Sequence, residues 1–321
     1  MKVLICGAAG FIGSHLAEKL VLEGHTVWGC DNLVTGNMSN LAPILDHPNF
    51  KFEKHDICQW DGLSHSVDLV YHFASPASPP RYMCVPVETY MVNSLGTYRM
   101  LEYAKKYRAR FVFASTSEIY GEAQVHPQPE TYYGNVNSIG IRSCYDEGKR
   151  FGEGMTVLYN RDFGVDTRVV RIFNVYGSRM GLDDYRVIPN FIVQCLRGDL
   201  VTVYGNGQQT RSFCYIEDFL EAVVRLGYAD GLGGSVINIG NPEEITVFDL
   251  MMLIKRLCGS QSAVKYCPLP SNDPLQRRPV IDRAKELLGW EPKTSLEEGL
   301  VHCIDYYRSI IESSNTGCFT R

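Results

Sequence analysis

Along the first half of the chain, short apolar runs alternate with amphipathic stretches, the pattern of a parallel sheet covered by helices. The runs predict strands at residues 3–6, 26–30, 50–53, 69–73, 111–114 and 167–172. Between the first two, Ile12, Leu16 and Leu20 recur at helical spacing and give that helix one buried face. Beyond Phe173 the order loosens into loops punctuated by Gly and Pro, short strands and isolated helices, with residues 236–239 returning as a late strand. The expected class is α/β: a doubly wound parallel sheet from residues 1–172, with returning segments near 213–240. Residues 173–312 form mainly a smaller, interleaved α/β lobe, and 313–321 read as a polar, frayed tail.

Composition narrows the function classes. The 321 residues are 45% hydrophobic and 21% charged, with a net charge of −5 and a pI near 5.9. That balance argues against a nucleic-acid partner or an anionic membrane surface, both of which need clustered cations. The densest basic run, Lys105, Lys106, Arg108 and Arg110, reads as a solvated helix C-terminus leading into a strand. Eleven scattered cysteines without a CxxC pair fit free thiols in a reducing compartment. The histidines lack metal-binding spacing, so no metal is expected, and no apolar stretch approaches the ~20 residues of a membrane span.

The first strand runs into GAAGFIG, with Gly7, Gly10 and Gly13 ahead of the first helix. The first Gly permits a tight turn, the second lets backbone amides approach a pyrophosphate, and the third allows close helix–sheet packing. This strand–turn–helix context makes the motif a Rossmann-type dinucleotide site, with Phe11 and Ile12 in the same turn. Asp31, with Asn32 beside it, ends the second strand at the offset where a carboxylate holds ribose hydroxyls and repels the extra phosphate of NADP. NAD is therefore the expected cofactor. Asp56 and Ile57, after the third strand, are candidates for flanking the adenine.

A second motif supplies reactivity. Tyr145 and Lys149 form YxxxK on one face of a predicted helix, where a nearby ammonium eases ionisation of the phenol. Ser115, Thr116, Ser117 and Glu118 close the strand between the two motifs. Together these features resemble the extended short-chain dehydrogenase/reductase superfamily, in which Thr116, Tyr145 and Lys149 would form the hydride-transfer triad. The stretches ASPASPPRY (74–82), STSEIYG (115–121), NVNSIGIRSCYDEGKR (135–150), RIFNVYGSRMGLDDYRV (171–187), TVYGNGQQTRSF (202–213) and NDPLQRRP (272–279) further resemble the UDP-glucuronic acid decarboxylases, also called UDP-xylose synthases.

That resemblance implies a reaction. Tyr145 would deprotonate the C4 hydroxyl of UDP-glucuronate while hydride passes to NAD, making a 4-ketone that loses its C6 carboxylate as carbon dioxide. Reprotonation at C5 and return of the hydride would give UDP-xylose, with NAD regenerated in place. Ser117, Glu118 and a late arginine, Arg277 or its neighbour Arg278, would serve the decarboxylation. Tyr82, Glu118, Asn174, Tyr204, Arg211 and Arg277 would hold the UDP-sugar, the arginines by neutralising its diphosphate.

The resemblance also implies a homodimer through paired helices, including the one that carries Tyr145. Many eukaryotic members carry an N-terminal membrane anchor; this sequence begins at the first strand, so a cytoplasmic location is expected. Departures from the pattern are Met91, where relatives usually show Lys near the ligands, and Ser75, Asn135 and Ser138, where Cys, His and Pro are common. Two rivals share the oxidation step, a UDP-glucuronate 4-epimerase and a UDP-apiose/xylose synthase. A non-catalytic NAD(H) sensor would need the glycine turn but not the triad.

Overall fold

The structure, a computed structural model, describes residues 1–269 and 276–316. Its centre is a seven-stranded, all-parallel sheet. The strands are β1 (Lys2–Cys6), β2 (Thr26–Asp31), β3 (Phe50–Lys54), β4 (Leu69–His72), β5 (Arg110–Thr116), β6 (Thr167–Ile172) and, from far along the chain, β11 (Val236–Ile239). Their order is β11-β6-β5-β4-β1-β2-β3. Every residue of β4, and all of β1 after Lys2, is buried, because helices cover both faces and leave no solvated side for polar residues to occupy.

The helices fix the site. In the first half these are α1 (Phe11–Leu22), α2 (Pro79–Cys84), α3 (Pro86–Met91), α4 (Thr97–Tyr107) and α5 (Ser143–Phe163). A Cβ on Gly152 of α5 would stand 2.4 Å from the Phe113 ring, so only glycine lets this helix lie so close to β5. That approach presses the N-terminal turns of α5 toward the ends of the central strands. Between β6 and β11 come β7 (Val175–Tyr176), α6 (Val187–Arg197), β8 (Val201–Tyr204), β9 (Thr210–Ser212), β10 (Cys214–Tyr215) and α7 (Ile216–Tyr228). After β11 follow β12 (Glu244–Thr246), α8 (Val247–Cys258), β13 (Val264–Cys267), α9 (Asp282–Leu288) and α10 (Leu296–Thr316). Three two-stranded pairs, β7–β10, β9–β12 and β8–β13, brace this second half.

Three expectations need correction. The predicted tail at 313–321 is partly helix, since α10 runs to Thr316, while 317–321 lie outside the described residues. Lys105 and Lys106 do sit in the last turn of α4, but Arg110 is no solvated cation. It opens β5 and pairs with Asp166 at 2.8 Å and Asp230 at 2.9 Å. Met91 is exposed on α3 and lines neither of the two cavities described below, so its difference from Lys does not remove a charge from their walls. Within the motif NDPLQRRP, residues 272–275 lie outside the described residues. Among the described residues no helix is long and apolar enough to cross a membrane.

Candidate active site

Two cavities open at the C-terminal edge of the sheet, one of about 570 Å³ and one of about 470 Å³. Tyr145, Ser115, Ile172 and Arg186 line both, so the two meet at the head of α5. The sheet order reverses between β1 and β4, and the larger cavity lies at that switch point, where open α/β sheets hold ligands.

The larger cavity is built on the glycine turn, with Gly7, Gly10, Phe11, Ile12 and Gly13 in its wall. Gly7 has φ +85°, and a Cβ there would stand 2.7 Å from the backbone of Phe73 and Ala74. No side chain caps α1 at Gly10, which leaves its first amides available to an anion. Asp31 is buried behind Gly36, its carboxylate accepting from the amides of Ala9 (3.0 Å) and Leu33 (2.8 Å). Burial raises its pKa and those two amides oppose the rise. A carboxylate offers about four acceptor positions, so two remain for ribose hydroxyls. An uncapped helix start, a turn without room for side chains and this carboxylate fit a dinucleotide.

Other cofactor candidates lie elsewhere. Asn32 is exposed and accepts from the Val34 amide, Asp56 caps the turn at Cys58, and Ile57 is buried in the core beneath Gly96. None of the three lines the cavity, and neither does Asp31 itself, whose carboxylate stands behind the wall residue Gly36. Thr35, Asn37 and Ser75 do, and sequence reasoning passed over them. Their only signal is the polar loop that follows β2 and the one that follows β4.

The smaller cavity gathers Tyr82, Thr116, Ser117, Glu118, Tyr145, Asn174, Tyr204, Arg211 and Arg277, residues drawn from seven separate segments. Tyr145 lies flat on Tyr82, ring centroids 4.9 Å apart and planes 2° from parallel. Burial pushes the Tyr145 phenol up, while a hydrogen bond with Thr116 and the Arg186 charge pull it down. One turn along α5, Lys149 donates to the Ala114 carbonyl at 2.7 Å, with its ammonium 5.8 Å from the Tyr145 ring centroid. Burial drives Lys149 down to about 7, with Glu153 opposing. The ammonium is thus poised to gain or lose its proton near neutral pH.

An ionic cluster closes the far end. Arg277 is buried and its guanidinium donates to the Ser117 carbonyl and, at 3.1 Å, to that of Gly121. Arg278 instead turns outward toward Glu244, at 3.9 Å, so Arg277 is the arginine that faces the cavity. Burial would raise the Glu118 carboxyl, but the charges of Arg277, Arg142 and Arg211 outweigh it and hold the group below the usual range. Arg142 was not foreseen from the sequence, although it donates to Glu118 Oε2 at 2.7 Å. Asp146, buried beside them, is pushed up to about 7 by burial and by Glu118. Among the described residues no His, Cys, Asp and Glu cluster could hold a metal ion.

Residues 3–240 match the NAD dependent epimerase/dehydratase family. UDP-glucuronic acid decarboxylase 1 of Danio rerio is 48% identical over 311 residues, covering 97% of this chain and 73% of that protein. UDP-glucuronic acid decarboxylase 5 of Arabidopsis thaliana is 49% identical over 301 residues, 94% of this chain and 87% of its own. A UDP-glucuronic acid 4-epimerase from Bacillus cereus, solved with UDP-glucuronic acid and NAD, superposes with a TM-score of 0.88. It is 28% identical, over 97% of this chain and 100% of that one. By sequence, fold and the arrangement of these cavities, the chain belongs to the NAD dependent epimerase/dehydratase family and, within it, to the UDP-glucuronic acid decarboxylases.

Proposed function

We propose that the protein converts UDP-glucuronate to UDP-xylose and carbon dioxide, with NAD held in the larger cavity and the nucleotide sugar in the smaller. Residues 1–172 and 213–240 serve as the cofactor lobe and 173–312 mainly as the substrate lobe. The observation that carries the reading is the adjoining of two chemistries at Tyr145: a hydroxyl pair, Tyr145 and Thr116, and an ionic pair, Glu118 and Arg277. Bound against the glycine turn and Asp31, NAD supplies a reversible hydride acceptor. Tyr145 takes the C4 hydroxyl proton, Thr116 orients that hydroxyl, and Lys149 eases charge on the phenol. Ser117, Glu118 and Arg277 face the uronate carbon, where carbon dioxide departs and a proton is added. Arg211 and Tyr204, at the outer end, suit the diphosphate and the base.

The 4-epimerase shares the oxidation and differs in keeping the carboxylate. Purified protein incubated with UDP-glucuronate and NAD should release one equivalent of carbon dioxide and give UDP-xylose by NMR, while Tyr145→Phe should fall on the order of 10²–10⁴-fold. A UDP-uronic acid product without carbon dioxide would reject the decarboxylase. A Tyr145→Phe protein as active as the parent would remove the phenol from the chemistry.

A further inference from the structure

Glu118 stands on the turn Ser117–Tyr120, and charged or titratable groups from every element around it act on it or on its neighbours. These include Arg142 before α5, Tyr145, Asp146 and Glu147 within α5, Arg186 before α6, Arg211 on β9, Arg277 beyond β13, and Tyr82 on α2. Two guanidiniums reach the same carboxylate oxygen, Oε2: Arg142 at 2.7 Å and Arg277 at 3.5 Å. They are not equivalent. Arg277 also ties the carbonyls of Ser117 and Gly121 together, so part of its hydrogen bonding builds the turn itself. Arg142 makes the shorter contact, and its side chain lines the cavity.

Helix capping does not favour an arginine at position 142. It is the N-cap of α5, makes no side-chain cap, and sets a cation against the positive end of the helix dipole. Its backbone carbonyl accepts the amides of Tyr145 (3.0 Å) and Asp146 (3.1 Å). One residue therefore starts the helix that presents the phenol and grips the carboxylate across the cavity.

We infer that Arg142 is a positioning residue for carbon dioxide release, fixing Glu118 by one oxygen while the 4-keto acid reacts. The inference rests on the reading of the reaction given above. In that step the C5–C6 bond breaks, its electron pair passes into the enolate of the C4 ketone, carbon dioxide leaves, and one solvent proton ends on C5. An ionised Glu118 is an acceptor only and orients the water that delivers the proton. Protonated, it loses that role. With Arg142 removed, only Arg277 and Arg211 oppose burial, and the Glu118 carboxyl rises toward the protonated form.

The test separates oxidation from decarboxylation in single turnovers of NAD-loaded protein with UDP-glucuronate. Arg142→Gln should form NADH within about threefold of the parent yet release carbon dioxide on the order of 10²-fold more slowly. The acid limb of carbon dioxide release should move to higher pH. Arg142→Lys retains the charge but not the planar fork, so its acid limb should stay in place while release slows about tenfold. This second variant decides the matter if the first does not fold. Equal losses in NADH formation and carbon dioxide release, an unmoved acid limb in Arg142→Gln, or parental rates in Arg142→Lys would each overturn the inference alone. A parent protein that oxidises UDP-glucuronate but releases no carbon dioxide overturns the reading of the reaction, and the inference falls with it.

Discussion

At the residue scale, the site holds groups in protonation states that the chain would not adopt when unfolded. Lys149 is the clearest: burial brings it to about 7 from an ordinary value of 10.5. Between those two pH values the unfolded chain binds the proton and the folded one sheds it, so this residue makes stability rise with pH across that window. Below about pH 7 the full cost of burying the ammonium is present. Lys149→Met should therefore raise the melting temperature at pH 6 by a few degrees and flatten its climb between pH 7 and 10, while turnover is lost. Thermal melts of both proteins across that range check it; parallel curves would mean that the buried ammonium costs the fold nothing. Much of the candidate site is legible in the sequence. The Tyr145 and Lys149 pair shows as a helical i, i+4 spacing, and Thr116 joins them through the family resemblance; all three line the cavities. Arg142 is not legible there, because its partner is 24 residues away and only folding joins them.

At the scale of elements, the strands of the sheet were readable nearly to their ends. Parallel strands buried on both faces are continuous apolar runs, and such runs survive in sequence as plain signals. The short pairs were not readable: β7 and β10 have two residues each, too few for any period. The last turn of α10 was missed because Ser313 and its polar neighbours look like a tail, whereas the helix is carried forward by Leu300, Ile304 and Tyr307, all packed in the core. The turn between β1 and α1 follows from its glycines, and it leaves little room for a side chain. A Cβ on Gly13 would stand 2.0 Å from the Gly7 carbonyl oxygen. Gly13→Ala should thus displace α1 from the sheet at a cost of about 1–3 kcal/mol and spoil the anion site at its head. The expected outcome is a lower melting temperature together with loss of the rise that added NAD gives the parent. A variant that melts lower yet gains as much from NAD as the parent would show that the turn tolerates the methyl group.

At the scale of the whole molecule, large apolar side chains stand exposed on α5 and the helices beside it. On α5, Phe151 and Leu158 are 51% and 37% exposed, seven residues apart and so on one face, with Gly154 between them. The neighbouring α3 and α4 add Val87, Met91 and Tyr98, also exposed and spaced to form a stripe. Large side chains aligned in this way on adjoining helices mark an association surface more often than chance exposure does. Met91 belongs to this stripe, which gives a place in the molecule to the residue that departs from the usual Lys. We propose that the stripe pairs with its copy in a homodimer about a twofold axis, burying the outer face of the helix whose inner face presents Tyr145 and Lys149. The parent should then run at twice the chain mass of 36.2 kDa in light scattering. Phe151→Glu with Leu158→Glu should bring it to the monomer mass, because two carboxylates per chain would face each other across an apolar seam. Since α5 would lose its outer support, the separated chains should also melt lower and turn over more slowly at equal NAD occupancy. A parent of 36.2 kDa, or a double variant that stays dimeric, would refute this pairing. A monomeric variant with parental turnover would mean that α5 is held in place by its own sheet, through the close contact of Gly152 with Phe113, and needs no partner.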